Sequence, residues 1–213
     1  MSRTVTLVDY GIGNIFSVSR ALETAGAEVL LTDKPEDLDK AERLVLPGVG
    51  AFADCMSNLR ERGLVDPLLR FAGSGRPFLG ICVGMQMLAT FSEEFGCHEG
   101  LNLIPGRVSG LPNVDKDGLP LKIPHIGWTQ LQHAPDQAWT GSPLGDTAAG
   151  ESVYLVHSYA VTPDDPAHSL ATCFYGGRPI CAAIRSNNIF GVQFHPEKSG
   201  PSGLRILSRF LQC

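Results

Sequence analysis

Phe78-Leu79-Gly80-Ile81-Cys82-Val83-Gly84-Met85-Gln86 is an apolar run that passes through glycines into a helical pattern. A strand that turns sharply into a helix at a cysteine is the layout of a nucleophile elbow, which exposes one thiol above a sheet. Glycine on both sides of the turn admits unusual dihedrals and close approach to the backbone, and the helix start aims N–H groups at the sulfur. A thiolate is favoured in such a place. Far downstream, Phe194-His195-Pro196-Glu197 follows another apolar run and supplies a base with a carboxylate two residues on. A cysteine nucleophile, a histidine base and an orienting glutamate together point to acyl transfer.

Outward from the elbow, strand-like runs alternate with helical patterns. Thr4 to Asp9 reads as a strand, and Asn14 to Ala25 as a helix with Ile15, Val18, Ala21, Leu22 and Ala25 on one face. Gly26 ends that helix, Glu28 to Thr32 is a second strand, and Arg43 to Leu46 a third, closed by Pro47-Gly48-Val49-Gly50. A helix carrying Phe52, Met56 and Leu59 precedes Phe78 to Ile81. This order predicts an α/β fold of three layers, a mostly parallel central sheet between helices. From Leu101 onward the runs shorten and are broken by glycine and proline. Ser152 to Val156, Ser169 to Tyr175, Ile180 to Ile184 and Ile189 to Phe194 read as antiparallel hairpins, and a last helix runs from about Ser202 to Leu211, with Ser199 or Ser202 as its cap. Pro112 to Gly118 and Ala134 to Gly150 are polar loops, the second the natural place for mobility.

The chain has 213 residues, 43% hydrophobic and 18% charged, a globular balance that suits a single domain over 1–213. A net charge of −5 and no basic patch argue against nucleic-acid binding. Met1 to Asp9 lacks a cleavage site, so it does not read as a signal peptide, and no run approaches the roughly 18 apolar residues of a membrane span. The six cysteines lack paired spacing, so neither a zinc site nor a disulfide framework is expected, and free thiols suit a cytoplasmic protein. Gly11-Ile12-Gly13 lacks the third glycine of a dinucleotide loop and no phosphate cradle appears, so no cofactor is expected. His98, His133 and His168 lie in polar stretches and read as solvated.

In such a sheet, ligands bind beyond the carboxyl ends of the strands, where Tyr10 to Asn14, Pro47 to Gly50 and the Cys82 elbow converge. Taken singly, Cys82 and His195 could each be core residues. Their joint setting argues for catalysis.

Gly80-Ile81-Cys82-Val83-Gly84-Met85-Gln86 and Phe194-His195-Pro196-Glu197 resemble the motifs of the class I (triad) glutamine amidotransferases, with their flavodoxin-like architecture, and the resemblance spans essentially the whole chain. Gly11 to Asn14 with Ser17-Val18, Leu46 to Phe52, Pro124-His125-Ile126-Gly127-Trp128 and Val156-His157-Ser158-Tyr159 narrow it to glutaminase subunits that feed a cyclase of histidine biosynthesis. Thr129 stands where such subunits commonly carry asparagine. Paralogous subunits supplying ammonia for surface-sugar synthesis share the triad, and a Cys-His peptidase-like hydrolase is the alternative from the residues alone.

The resemblance implies Cys82, His195 and Glu197 as the triad and the backbone N–H groups of Val49 and Val83 as the oxyanion hole. It implies that Gly50, Gln86 and the backbone around His157, Ser158 and Tyr159 hold glutamine, with Glu94 on its α-amino group. Glu94 also reads as a solvated charge at a helix end. The partner implied is a cyclase with a (β/α)8 barrel, forming a heterodimer docked at Asn14, Trp128 and Lys198. The chain itself shows no site for an ammonia acceptor.

Overall fold

The computed structural model describes residues 3–213. Met1 and Ser2, at the start of the N-terminal stretch considered above, lie outside the described residues. The elements in chain order are β1 (Thr4–Val8), α1 (Ile15–Thr24), β2 (Glu28–Thr32), α2 (Pro35–Leu38), β3 (Leu44–Gly48), α3 (Phe52–Glu61), α4 (Val65–Ala72), β4 (Phe78–Cys82) and α5 (Val83–Met87). There follow β5 (Phe91–Ser92), β6 (His98–Glu99), β7 (Gly106–Gly110), β8 (His125–Gln130), β9 (Gln132–His133), β10 (Ser152–His157), β11 (Tyr159–Pro163), β12 (Ser169–Tyr175), β13 (Arg178–Ser186), β14 (Ile189–Val192) and α6 (Gly200–Phe210).

The main sheet has the order β2-β1-β3-β4-β14-β13-β12-β9. Its first five strands are parallel, and β13, β12 and β9 extend it antiparallel. The parallel part has the 2-1-3-4-5 order of flavodoxin-like folds, with β14 as its fifth strand. β3 and β4 are buried at every position, as strands covered on both faces should be. Two smaller sheets, β10-β8 and β11-β7-β5-β6, pack beside the main one.

Three expectations are corrected. The run from Ile189 is not simply one arm of a hairpin: β14 pairs antiparallel with β13 on one side but parallel with β4 on the other, Gly191 opposite Gly80. Ser152 to Val156 pairs not with a sequence neighbour but with β8, Leu155 opposite Gly127. The Ala134 to Gly150 loop is pinned, because Trp139 and Leu144 are buried and the Trp139 indole donates to the Leu170 carbonyl at 2.9 Å. An apolar pair inside a polar stretch has nowhere to go but the core.

The last helix begins at Gly200, and neither serine caps it. Ser199 donates instead to the His195 carbonyl at 2.7 Å and accepts the Tyr154 N–H at 3.0 Å. That ties the turn carrying His195 to β10.

Candidate active site

Cys82 ends β4 with φ 56 and ψ −114, left-handed backbone at a residue that is not glycine. Such strain costs about 1–3 kcal/mol and persists only where the surroundings impose it. Here β3 and β14 hold β4 from both sides. The neighbouring glycines work differently from the expectation: the strain lies on Cys82, and they clear space. A Cβ on Gly80 would come 2.6 Å from the Gly84 carbonyl oxygen, one on Gly48 would come 2.6 Å from the Gly84 nitrogen, and one on Gly84 would overlap the Leu46 carbonyl. Glycine at all three lets α5 settle directly onto β3 and β4, with Val83 as its first residue.

β14 leads into His195, and a single 3-10 turn over Pro196–Lys198 brings Glu197 behind it. The Glu197 Oε1 accepts from His195 Nδ1 at 2.8 Å, with both side chains almost fully buried. Burial opposes charging His195, but hydrogen bonding and charge from Cys82 and Glu197 more than offset it and raise the imidazole to about 9. The ring therefore carries its proton at neutral pH, with the sulfur in front and a carboxylate behind. Asn14 ends the loop after β1, and its Nδ2 reaches the same Glu197 oxygen at 3.4 Å instead of capping α1.

A cavity of about 450 Å3 lies beyond the carboxyl ends of these strands, and Cys82 and His195 open into it. Val49, Gly50 and Val83 line one side, while His157, Ser158 and Tyr159 line another. Gln86, Glu94, Asn14 and Lys198 complete the expected set. Gly50 has φ +83. The loop around it is held by Tyr10, whose hydroxyl donates to the Pro47 carbonyl at 2.8 Å, and by the Cys55 thiol on the Val49 carbonyl at 3.4 Å. Glu94 stands in a turn after β5, not at a helix end of its own, and its Oε2 accepts the first N–H of α3, on Phe52, at 2.6 Å. Its other oxygen accepts no hydrogen bond among the described residues.

Trp128 lies outside the cavity lining, 59% exposed on β8. It meets the Tyr154 ring edge-on at 6.0 Å, and Lys198 Nζ sits 5.9 Å from that ring's centre. The expected docking residues Trp128 and Lys198 thus share one aromatic patch, while Asn14 faces inward.

The side-chain roles of several polar groups, and Gln193 altogether, escaped the sequence reading. His157 is buried and pulled down to about 4, burial being the main cause, so it is neutral. Its Nδ1 donates to the Tyr159 carbonyl at 2.9 Å, and its Nε2 meets His125 Nδ1 at 3.2 Å. His125 in turn meets Thr129 Oγ1 at 3.0 Å, so the Thr129 departure falls on a side chain with a partner. Gln193 is fully buried, with its amide between Cys82 and Gln86. Gln193 and His195 both lie beyond the end of β14, so strand alternation does not link them and gave no signal for Gln193. Of the histidines read as solvated, His133 is exposed as expected while stacking on Trp139 at 4.2 Å, whereas His98 and His168 are half-buried.

A strained cysteine elbow on a 2-1-3-4-5 sheet, backed by a buried His–Glu pair, defines a class of thiol-dependent amide hydrolases. The chain belongs to the class-I glutamine amidotransferase family, whose model matches residues 6–213. It is 48% identical over 210 residues, covering 98% of this chain and 99% of the other, to imidazole glycerol phosphate synthase subunit HisH 1 of Legionella pneumophila strain Paris. It is 50% identical over 208 residues, 97% and 98% of the two chains, to the subunit HisH of Syntrophotalea carbinolica. A solved glutamine amidotransferase superposes with a TM-score of 0.72 at 19% identity over 97% of each chain, which speaks for the fold. The PurLQS structure from Thermotoga maritima matches equally, with TM-score 0.72 and 19% identity over 100% and 98% of the chains.

Proposed function

We propose that this chain is the glutaminase subunit of an imidazole glycerol phosphate synthase. It hydrolyses glutamine and passes ammonia to a cyclase subunit with a (β/α)8 barrel, in a cytoplasmic heterodimer that makes imidazole glycerol phosphate and AICAR for histidine biosynthesis. The observation that carries the chemistry is Cys82, in strained backbone and lining the same cavity as a His195 buried against Glu197. The full-length similarity to HisH subunits supports the pathway.

The Cys82 sulfur attacks the side-chain amide carbon of glutamine, and the carbonyl electrons move to oxygen. The N–H groups of Val49 and Val83 stabilise that oxyanion, a donor of this kind being worth about 3 kcal/mol. His195, already protonated, gives its proton to the amide nitrogen as the C–N bond breaks, and ammonia leaves. The neutral imidazole then takes a proton from water, which attacks the thioester. Glutamate departs, and the sulfur and imidazolium are restored. Glu197 holds the ring's orientation and stabilises its charge.

Cys82→Ala is expected to abolish glutamine-dependent synthesis by the complex while leaving synthesis from ammonium salts, because the acceptor chemistry belongs to the cyclase. The measurement is product formation by the reconstituted complex from each nitrogen source. Loss of both activities in an assembled complex would refute this division of labour. Failure of the wild-type chain to bind or serve the histidine-pathway cyclase would move it to the surface-sugar paralogues.

A further inference from the structure

Gln193 follows β14, 0% exposed, with its side chain wedged between the nucleophile and a residue of the cavity wall. Its Nε2 donates to the Cys82 sulfur over 3.6 Å, and its Oε1 accepts from Gln86 Nε2 at 3.0 Å. The chemistry of the partners settles which end of each amide is which. The Tyr159 carbonyl can only accept, so the Gln86 atom 3.1 Å from it is the NH2 group. The second hydrogen of that NH2 needs an acceptor, which makes the facing atom of Gln193 its oxygen. The Gln193 NH2 is left with the sulfur.

The Tyr159 carbonyl is itself held in place. Residues Tyr159–Pro163 pair with β7, and the carbonyl accepts a second hydrogen bond from the neutral His157 at 2.9 Å. The orientation therefore runs without a free choice from Tyr159 through Gln86 and Gln193 to Cys82. Two consequences follow. The sulfur has an N–H donor on the protein side, opposite the cavity from which a ligand arrives. Both hydrogens of the Gln86 amide are consumed within the chain, so the group it offers to a ligand is its carbonyl oxygen, an acceptor.

We propose that Gln193 is a positioning residue of this site: it donates a hydrogen bond to the Cys82 sulfur and, by locking Gln86, presets a hydrogen-bond acceptor that selects ligands carrying N–H groups at that wall. A hydrogen bond to the anionic form favours the thiolate, and a buried acceptor left unpaired rejects ligands without donors. The inference rests on Cys82 being the nucleophile. Its main readout, alkylation, needs neither glutamine nor cyclase, so a chain that fails as a glutaminase still tests it.

Two near-isosteric variants separate the roles. Gln193→Glu keeps the acceptor for Gln86 but sets an anion against the sulfur, whereas Gln193→Met removes donor and acceptor together. Iodoacetamide labelling of Cys82 in the full chain, followed by site-resolved mass spectrometry between pH 5 and 10, should slow about tenfold or more at pH 7 in Gln193→Glu. It should slow by about threefold in Gln193→Met, with the half-plateau pH moving upward in both. In the complex, Gln193→Glu should lower kcat with KM held, and Gln193→Met should also raise KM because Gln86 is free to turn. Profiles that superimpose on wild type would overturn the proposal. A second measurement spares the fold altogether: in wild-type chain labelled with 15N-glutamine, one side-chain amide should titrate together with Cys82 alkylation and stop doing so in Cys82→Ala. The absence of any such amide would overturn the proposal even if neither variant folded.

Discussion

Cys82 at φ 56 carries a conformation that its Cβ resists, and the cost is tolerated because the sulfur must stand clear of the sheet. Removing the Cβ should relieve it. Cys82→Gly is therefore expected to be about 1 kcal/mol more stable than Cys82→Ala, both inactive with glutamine, as measured by urea unfolding. Equal stabilities would mean that the elbow is unstrained. The two buried histidines of the site pull stability in opposite directions. His157, held neutral with a folded value of about 4, leaves the unfolded chain to take up the proton below about 6.5, so its contribution falls as pH drops from 6.5 towards 4. Between pH 7 and pH 5 that loss amounts to about 2 kcal/mol, and His157→Gln should flatten it in urea titrations at the two pH values. His195, raised to about 9, contributes fully below about 6.5 and loses that contribution as pH rises through 9.

At the level of elements, the glycines around the elbow divide into two kinds with different expected outcomes. Gly84 sits where α5 touches β3, and a methyl there meets the Leu46 backbone, which cannot retreat without unpairing β3 from β4. Gly84→Ala should cost about 3 kcal/mol or more, the upper end of overpacking effects. Gly50 has open space for a Cβ, so Gly50→Ala meets only the penalty of its φ of +83, about 1–2 kcal/mol. Thermal unfolding of both variants beside glutamate release by the complex would check this: Gly84→Ala should fail mainly in stability, and Gly50→Ala mainly in rate. The Val49 N–H lies between two carbonyls anchored by Tyr10 and Cys55, so a strained Gly50 acts on the donor with little room to relax. Nearly unchanged activity in Gly50→Ala would remove that loop from the oxyanion hole.

Across the whole molecule, the loops after β1, β3, β4 and β14 open on one edge of the main sheet, and the smaller sheets close the cavity from the side. The aromatic patch of Trp128, Tyr154 and Lys198 lies beside it. A half-exposed tryptophan with a neighbouring cation is the composition of an interface anchor. Trp128→Ala should weaken association with the cyclase by at least about tenfold, and Lys198→Ala by less, while Cys82 alkylation in the free chain stays at the wild-type rate. Titration calorimetry of the two variants decides the point, and unchanged affinity in both would place the docking face elsewhere.

Most of the alternating runs as far as Phe78 were legible because their apolar residues repeat at the period of a helix or strand, a signal carried by neighbouring residues, whereas the short helices α2 and α4 were not read. The Cys82 elbow and the His-x-Glu were legible for the same reason: their chemistry is written in contiguous residues. What lay beyond reach was pairing across distance. β14 reads locally as the end of a hairpin, yet its parallel partner is β4, more than a hundred residues earlier, and nothing in Ile189 to Val192 encodes that neighbour. Ser199 looks like a helix cap, but packing offered it the His195 carbonyl instead. Gln193 was silent for a sharper reason, because a glutamine at the end of an apolar strand acquires meaning only when folding sets its amide between a sulfur from β4 and a glutamine from α5. Sequence by itself determined which side chains could do chemistry and where the main strands and helices around the elbow would lie. The tertiary structure decided which of them touch, since the direction of a hydrogen bond, the strain on Cys82 and the proton on His195 are properties of contacts between segments far apart in the chain.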